Sequence, residues 1–409
     1  MDATRLLLKN YQAPGDILML TAAVRDLALC YPGRFMVAVN TSQPALWENN
    51  PYLVRHAKDD PRVKVIDCHY PMINQSNEMP RHFVEAFTAF LNDELHLKMK
   101  STGFKGDVHL SYQETSTSSL IHRIVRADIP FWVIVAGGKH DYPIKWWSKS
   151  RWQQVVDYFK GRVCFVQVAE MGRNNWHAKL DGVIDLRGET TLRELVQLMY
   201  HAQGVVGPVT MAMHLAAAVE TKPGAPKHRP CVVVAGGREP HQFEAYPSHQ
   251  FIHTIGAIHC CQTGGCWKSR VVPLGDGDEK DQSCCVEPRG DLPLCMDMIS
   301  AEDVAKRIEL YFKGGAIKYA TPAQWDALSA SGAFDPSTRG RYNQAKWPLP
   351  TRLLVKMRAE GDRGIGDIVA RTVAPIGGDA FKKAFQEITG RDCNCEGRQE
   401  ILNRYYPLK

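Results

Sequence analysis

The first third of the chain alternates short apolar runs with amphipathic stretches. Residues 5–11 place three leucines ahead of polar positions and read as a strand. Residues 13–16, Ala-Pro-Gly-Asp, form a turn, and residues 17–31 carry apolar positions at helical spacing up to Pro32-Gly33. Residues 35–40 and 63–67 predict two more strands, 79–97 an amphipathic helix and 106–111 a further strand. A second series starts near Ile129. Its predicted strands are 131–136, 163–168, 182–186, 204–207 and 231–235, and its predicted helices are 148–159, 190–201, 211–219 and 300–311. Thr190 or Thr191 would cap the helix at 190–201, with Glu194 in its first turn; Ser300 would cap the last, with Asp303 in its first turn. Strand alternating with helix is the rhythm of a parallel sheet. The near copies Val-Ile-Val-Ala-Gly-Gly (133–138) and Val-Val-Val-Ala-Gly-Gly (232–237) each run a buried strand into a glycine pair.

Residues 316–409 break the pattern. Pro322, Pro336, Pro348 and Pro350 interrupt the first half, 361–378 is glycine-rich, and 380–388 and 398–405 predict short helices. The expected organisation is therefore an α/β chain with a Rossmann-like domain over 1–128, a second over 129–315, and a small C-terminal module over 316–409. That module holds 15 Lys and Arg against 10 Asp and Glu, almost all of the chain's net charge of +6. Such a bias suits either a solvated face or a grip on a polyanion such as duplex DNA.

At 409 residues the chain has ample material for several cores, and its composition excludes disordered and collagen-like classes. The most apolar stretch, 211–219, has nine residues and includes His214, far short of the roughly 20 a spanning helix needs. No secretory signal is visible at the start, so the expectation is a cytoplasmic protein of a bacterium or a phage-infected host, without a membrane span.

Six of the twelve cysteines crowd together: Cys260, Cys261, Cys266, Cys284, Cys285 and Cys295. In a cytoplasmic chain that cluster predicts a metal finger (258–297) rather than disulfides. Cys261, Cys266, Cys285 and Cys295 are the expected ligands of a structural Zn or Fe ion, with Cys260 and Cys284 as adjacent alternatives. Gly264-Gly265 would fold the loop back so that Cys261 and Cys266 share the ion. Four thiolates leave no open position, so the role would be structural. Cys393 and Cys395 in the tail are a weaker metal signal.

Several segments resemble glycosyltransferase family 9, the ADP-heptose:lipopolysaccharide heptosyltransferases. They are Pro14-Gly15-Asp16-Ile17-Leu18 with Thr21-Ala22-Ala23-Val24-Arg25; Lys145-Trp146-Trp147; Asp185-Leu186-Arg187-Gly188-Glu189-Thr190-Thr191-Leu192; and Met213-His214-Leu215-Ala216-Ala217-Ala218. The resemblance spans about 5–315 and implies a GT-B enzyme, two Rossmann-like domains facing across a cleft. A Cys-rich finger also has a loose counterpart in the autotransporter branch of that family. One departure stands out: Pro208-Val209-Thr210-Met211-Ala212 occupies the place of the family's usual Asn-Asp-Ser-Gly-Pro, so Val209 replaces an acid beside the expected diphosphate.

The resemblance implies an inverting transfer of a sugar from a nucleotide-diphosphate donor, ADP-heptose-like or a UDP-sugar, to an acceptor hydroxyl on a surface glycan or protein. Asp16 is the implied base, although Asp in this turn also suits a helix cap. Lys145 is the candidate phosphate partner, with Lys139 and Lys149 as neighbours. Thr210, Met211 and Ala212 open a helix whose amides suit phosphate. His214 is either a ligand contact or a satisfied core histidine. Gly236, Gly237, Arg238 and Glu239 form either a donor-binding turn, Arg238 on phosphate and Glu239 on a ribose hydroxyl, or a plain turn. Trp146 and Trp147 suit either a nucleobase stack or the core. No Asp-x-Asp cluster accompanies these elements, and metal-free diphosphate stabilisation is expected. The basic tail, with Arg398, Asn403 and Arg404, also admits a phage-type DNA glycosyltransferase acting on a hydroxylated base. A non-enzymatic nucleic-acid-binding protein with a structural zinc finger is the remaining alternative.

Overall fold

The computed structural model describes residues 3–57, 60–69, 75–116, 129–172, 174–273 and 283–334, and, further on, 354, 356–357, 359 and 365–373. The chain divides into two compact units, Met1–Phe334 and Asp335–Lys409.

The first unit holds two parallel sheets. In the first, β1 (Thr4–Asn10) lies between β2 (Phe35–Thr41) and β3 (Val63–Asp67), in the order β2-β1-β3. Leu6 and Leu8 alternate inward from β1 and are fully buried beneath helix α1 (Pro14–Cys30), which starts four residues beyond the strand's last residue. Pro14 at the first helical position sets the backbone for helix, and Ala13 is the N-cap.

The second sheet comprises β4 (Phe131–Ile134), β6 (Cys164–Ala169), β8 (Ile184–Arg187), β9 (Gly204–Pro208), β10 (Cys231–Gly236) and β11 (His249–His253); β5 (Gly137–Lys139) and β7 (Asn175–His177) pair separately as a short antiparallel ribbon. Its order is β11-β10-β9-β4-β6-β8, all parallel. Val133, Val166, Val205 and Val233 are buried in the middle of this sheet, as expected of strands covered on both faces. The chain winds outward from β4 in one direction and then, from β9, in the other. The switch point between β4 and β9 is where such sheets open a ligand crevice at their carboxyl ends.

Three expectations change. Helix at 79–97 narrows to Ala86–Leu95, preceded by a 3-10 turn at Phe83–Glu85, because Pro80 follows Met79 and His82 folds its ring back to accept the Val84 amide. The predicted strand at 106–111 is an extended segment running along α1: Thr21 Oγ1 accepts the Asp107 amide at 2.7 Å and Arg25 reaches the Lys105 carbonyl at 2.8 Å. A Cβ on Gly106 would meet Leu18 at 3.0 Å, so this path depends on glycine. The glycine-rich 361–378 stretch contains a helix, Ile365–Val373, in the second unit. The predicted helices 380–388 and 398–405, and Cys393, Cys395, Arg398, Asn403 and Arg404, lie outside the described residues. Among the described residues no helix is long and apolar enough to cross a membrane.

Candidate active site

Two helix starts meet at the opening of the sheets. Asp16 is the third residue of α1, not its cap, and its carboxylate lies within electrostatic reach of Lys139, at the end of β5, and of Lys145. Burial pushes the Asp16 carboxyl up to about 6; the Ala13 amide, Lys139, its own amide and Lys145 pull in the opposite direction without cancelling it. From the other side comes the Met211–Ala218 helix, opening just past β9. A Cβ on Gly15 would come within 3.7 Å of His214 Cδ2, so the two helices touch where both begin.

Lys145 ends a 3-10 turn at Pro143–Lys145 beyond β5. Its ammonium pairs with Glu239 and lies 5.8 Å from the Tyr142 ring centre. Lys139 and Lys149 are exposed. Thr210 is the N-cap of the 211–218 helix, but its side chain caps nothing, and Oγ1 is buried without a partner. The amides of Met211 and Ala212, at the first turn, have no intrahelical acceptor. Val209 is buried, which accounts for an apolar residue at that position.

Gly236 and Gly237 end β10. Gly236 has φ +64°, and a Cβ on Gly237 would stand 2.9 Å from Cys261 Sγ, so both positions require glycine. Arg238 lies over the rings of Tyr142 (5.0 Å) and Trp267 (5.1 Å), gives Nε to the Lys268 carbonyl at 2.6 Å, and pairs with Glu239. Glu239 is 2% exposed, with Oε1 taken by Lys145 and Arg238 and Oε2 unpartnered. Trp147 is core: its indole donates to the Ile299 carbonyl. Trp146 stacks on Trp176 with ring centres 4.7 Å apart, beside Gly138.

His214 is buried and hydrogen-bonded through Nδ1 to the Tyr246 hydroxyl at 2.9 Å. Burial holds its imidazole well below its usual pKa. Its Nε2 is 3.4 Å from Glu244 Oε2, whose carboxyl burial and nearby Glu239 push well above the usual range. His214 and Glu244 are thus an uncharged buried pair behind the crevice. Glu244 and Tyr246 gave no signal in the sequence, because nothing local marks a residue whose role depends on a helix some 30 residues earlier.

Of the cysteines, Cys261 and Cys295 are buried, and Cys260, Cys266, Cys284 and Cys285 half-buried. Burial pushes Cys295 up to about 12, and the neighbouring Cys266, Cys285 and Cys261 thiols add to it. Cys266 is raised in the same way, by burial and then by Cys285 and Cys261. Cys295 therefore lies within electrostatic reach of the other three expected ligands, and Cys266 of Cys261 and Cys285. Among the described residues, however, no group of three or more His, Cys, Asp or Glu side chains is placed to hold a metal ion, so a closed Cys₄ shell is not shown. Gly264 and Gly265 serve other neighbours than a folded-back thiol pair: a Cβ on Gly264 would meet Asn77 Oδ1 at 2.5 Å, and one on Gly265 the Arg238 carbonyl at 2.4 Å.

Comparison with known proteins bears on this geometry. Residues 69–223 match the family model for glycosyltransferase family 9 (heptosyltransferase). That segment is similar to the family 9 domain. The matched segment runs from the end of the first sheet to beyond the Met211–Ala218 helix, and so contains Lys145, the Asp185–Leu192 element and His214.

Solved family 9 structures share the fold. A family 9 glycosyltransferase from Veillonella parvula DSM 2008 aligns with a TM-score of 0.51 at 13% identity, covering 76% of this chain and 97% of that one. TibC, an iron-containing dodecameric heptosyltransferase solved with ADP-D-beta-D-heptose, aligns with a TM-score of 0.51 at 17% identity, covering 76% and 77%. A second structure of TibC, from enterotoxigenic E. coli H10407, gives 0.50 at 16% identity, again covering 76% and 77%. No curated protein sequence matches the chain. The parallel-sheet architecture is that of the family 9 GT-B enzymes, and the family match together with that fold supports a glycosyltransferase.

Proposed function

We propose that the chain is an inverting, heptosyltransferase-like enzyme acting in the cytoplasm. It would move a sugar from a nucleotide-diphosphate donor of the ADP-heptose type to a hydroxyl of a glycan or protein acceptor. The reading rests above all on Asp16, in the first turn of α1, lying within electrostatic reach of Lys139 and Lys145 from the segment beyond β4. In the proposed step Asp16 takes the acceptor's hydroxyl proton as that oxygen attacks the anomeric carbon. The bond from that carbon to the diphosphate breaks, and its electron pair leaves with the nucleoside diphosphate. Lys145 and the amides opening the Met211–Ala218 helix would meet the departing charge, with no divalent cation required. The unpartnered Glu239 Oε2 would accept a donor hydroxyl, and Arg238 would add positive charge.

The decisive measurement is release of nucleoside diphosphate from a panel of nucleotide sugars, ADP-heptose first, with EDTA present. Turnover by the wild type and a fall of at least about a hundredfold in Asp16→Asn, with folding retained, is the expected result. Turnover surviving that substitution would remove Asp16 as the base, and a rate abolished by EDTA with folding retained would end the metal-free reading.

A separate proposal concerns the cysteines. Cys261, Cys266, Cys285 and Cys295, a donor set suited to Zn or Fe, would hold one structural ion, with Cys260 or Cys284 able to replace a neighbour. Metal analysis of protein purified without chelator is expected to give about one ion per chain; a metal-free chain that melts normally would refute it. The DNA reading depends on tail residues outside the described ones, and no observation favours it.

A further inference from the structure

The cysteine-bearing loop touches both sides of the crevice. On the donor side, the Cys266 amide donates to the Gly237 carbonyl at 3.1 Å, the Trp267 amide to the Arg238 carbonyl at 3.0 Å, and Arg238 Nε returns a bond to the Lys268 carbonyl at 2.6 Å. On the side of the first sheet, Asn77 clasps Gly265 with both ends of its amide. Its Nδ2 donates to the Gly265 carbonyl at 2.9 Å, and its Oδ1 accepts the Gly265 amide at 2.8 Å. Gln242, just past Arg238-Glu239-Pro240, adds a bond to the Ser76 carbonyl at 3.0 Å. Gly264 makes the clasp possible, since a Cβ there would overlap the Asn77 amide at 2.5–2.7 Å.

We infer that Asn77 is a positioning residue for the transfer reaction: through Gly265 it fixes the Gly237–Glu239 segment, and with it Lys145, at a set distance from Asp16. The inference rests on the proposed glycosyl transfer for its kinetic consequence, but the clasp itself does not. The chain of contacts is continuous. Asn77 holds Gly265; the adjoining Cys266 and Trp267 hold the backbone of Gly237 and Arg238; Glu239 holds Lys145. Asn77 touches none of the groups expected to react. Its loss shifts the donor-binding segment by a fraction of an ångström relative to the base, and reactions of this kind are sensitive to such displacements.

The test is a double-mutant cycle on the full-length protein with Asn77→Ala, Gly264→Ala and the pair. With ADP-heptose as donor and nucleoside diphosphate release as the readout, each single change is expected to lower kcat about tenfold, with donor KM changing less than threefold. The pair is expected to match either single change, because the atoms an alanine at 264 would overlap, Asn77 Oδ1 and Cγ at 2.5 and 2.7 Å, are gone in Asn77→Ala, which leaves only a 3.1 Å approach to the residue-77 Cβ. A hundredfold fall in the pair, the product of two independent effects, would overturn the inference. Hydrogen exchange provides the arm that needs no turnover: the amides of Gly265, Cys266 and Trp267 are expected to lose protection equally in all three variants. Unchanged protection in Asn77→Ala would refute the clasp whatever the kinetics. A wild type that releases nucleoside diphosphate from no donor would instead count against the transferase reading, with the exchange data still deciding the clasp.

Discussion

Asp16 carries the clearest residue-scale consequence. Its folded pKa, about 6, lies above the unfolded value of 3.8, so the folded state binds more protons than the unfolded state between those values. Stability therefore declines as pH rises from about 4 to about 6, and at neutral pH the ionised carboxylate costs the fold on the order of 1–3 kcal/mol. Activity runs the other way, because the base must be ionised to accept a proton. A kcat/KM profile rising through about pH 6 is expected, together with a neutral-pH urea midpoint that is higher in Asp16→Asn than in the wild type. A variant that lost both turnover and stability would show Asp16 to be a structural anchor and not a destabilised base. The neighbouring residues show what the sequence made legible. Asp16, Lys145 and Glu239 are marked locally, by a turn after a strand, a loop after a glycine pair, and a charged pair after another. That Glu239 occupies Lys145, or that His214 answers to Tyr246 and Glu244, depends on side chains 94, 32 and 30 residues apart along the chain, which no local pattern encodes.

At the scale of elements, the pattern was legible wherever a segment's own periodicity matched its burial. Five of the six strands of the second sheet fall within two residues of their predicted places, the inner ones because both of their faces are covered and their sequences are apolar runs; the edge strand His249–His253, with polar residues among its apolar ones, was not predicted. Helix starts were legible through their caps. Thr191 accepts the Glu194 amide while Glu194 returns a bond to the Thr191 amide, and Ser300 with Asp303 does the same. The extended 106–111 segment was not legible, since its alternation is that of a strand while its partner is the flank of a helix. The Thr191 cap fixes the start of the Leu192–His201 helix, which holds Arg193 in its first turn. Thr191→Ala is expected to cost about 1 kcal/mol in a urea titration, and Thr191→Ser to restore most of it. Equal losses in both would mean that the threonine methyl, not its hydroxyl, stabilises the helix start.

At the scale of the first unit, Arg193 joins the two sheets' surroundings at a point away from Asn77. Its guanidinium takes Glu114 on both oxygens, at 2.6 and 2.7 Å, the His109 carbonyl at 2.7 Å and the Ala45 carbonyl at 3.2 Å. Burial opposes ionisation of Glu114, but the bonds from Arg193 and Ser111 prevail and bring its carboxyl down to about 2. A depressed carboxylate stabilises the fold above its unfolded pKa, near 4.5, and that contribution disappears as pH falls toward 2. Arg193→Met would leave Glu114 mostly buried with its charge unmatched, a loss on the order of 3 kcal/mol at neutral pH. The same substitution should matter much less near pH 2, where Glu114 is about half protonated in the wild type and almost wholly protonated in the variant. Urea midpoints of wild type and Arg193→Met, compared at pH 7 and near pH 2, test this directly. A gap between the proteins that persists undiminished in acid would mean that Arg193 stabilises the unit through its two carbonyl contacts, with the carboxylate a bystander.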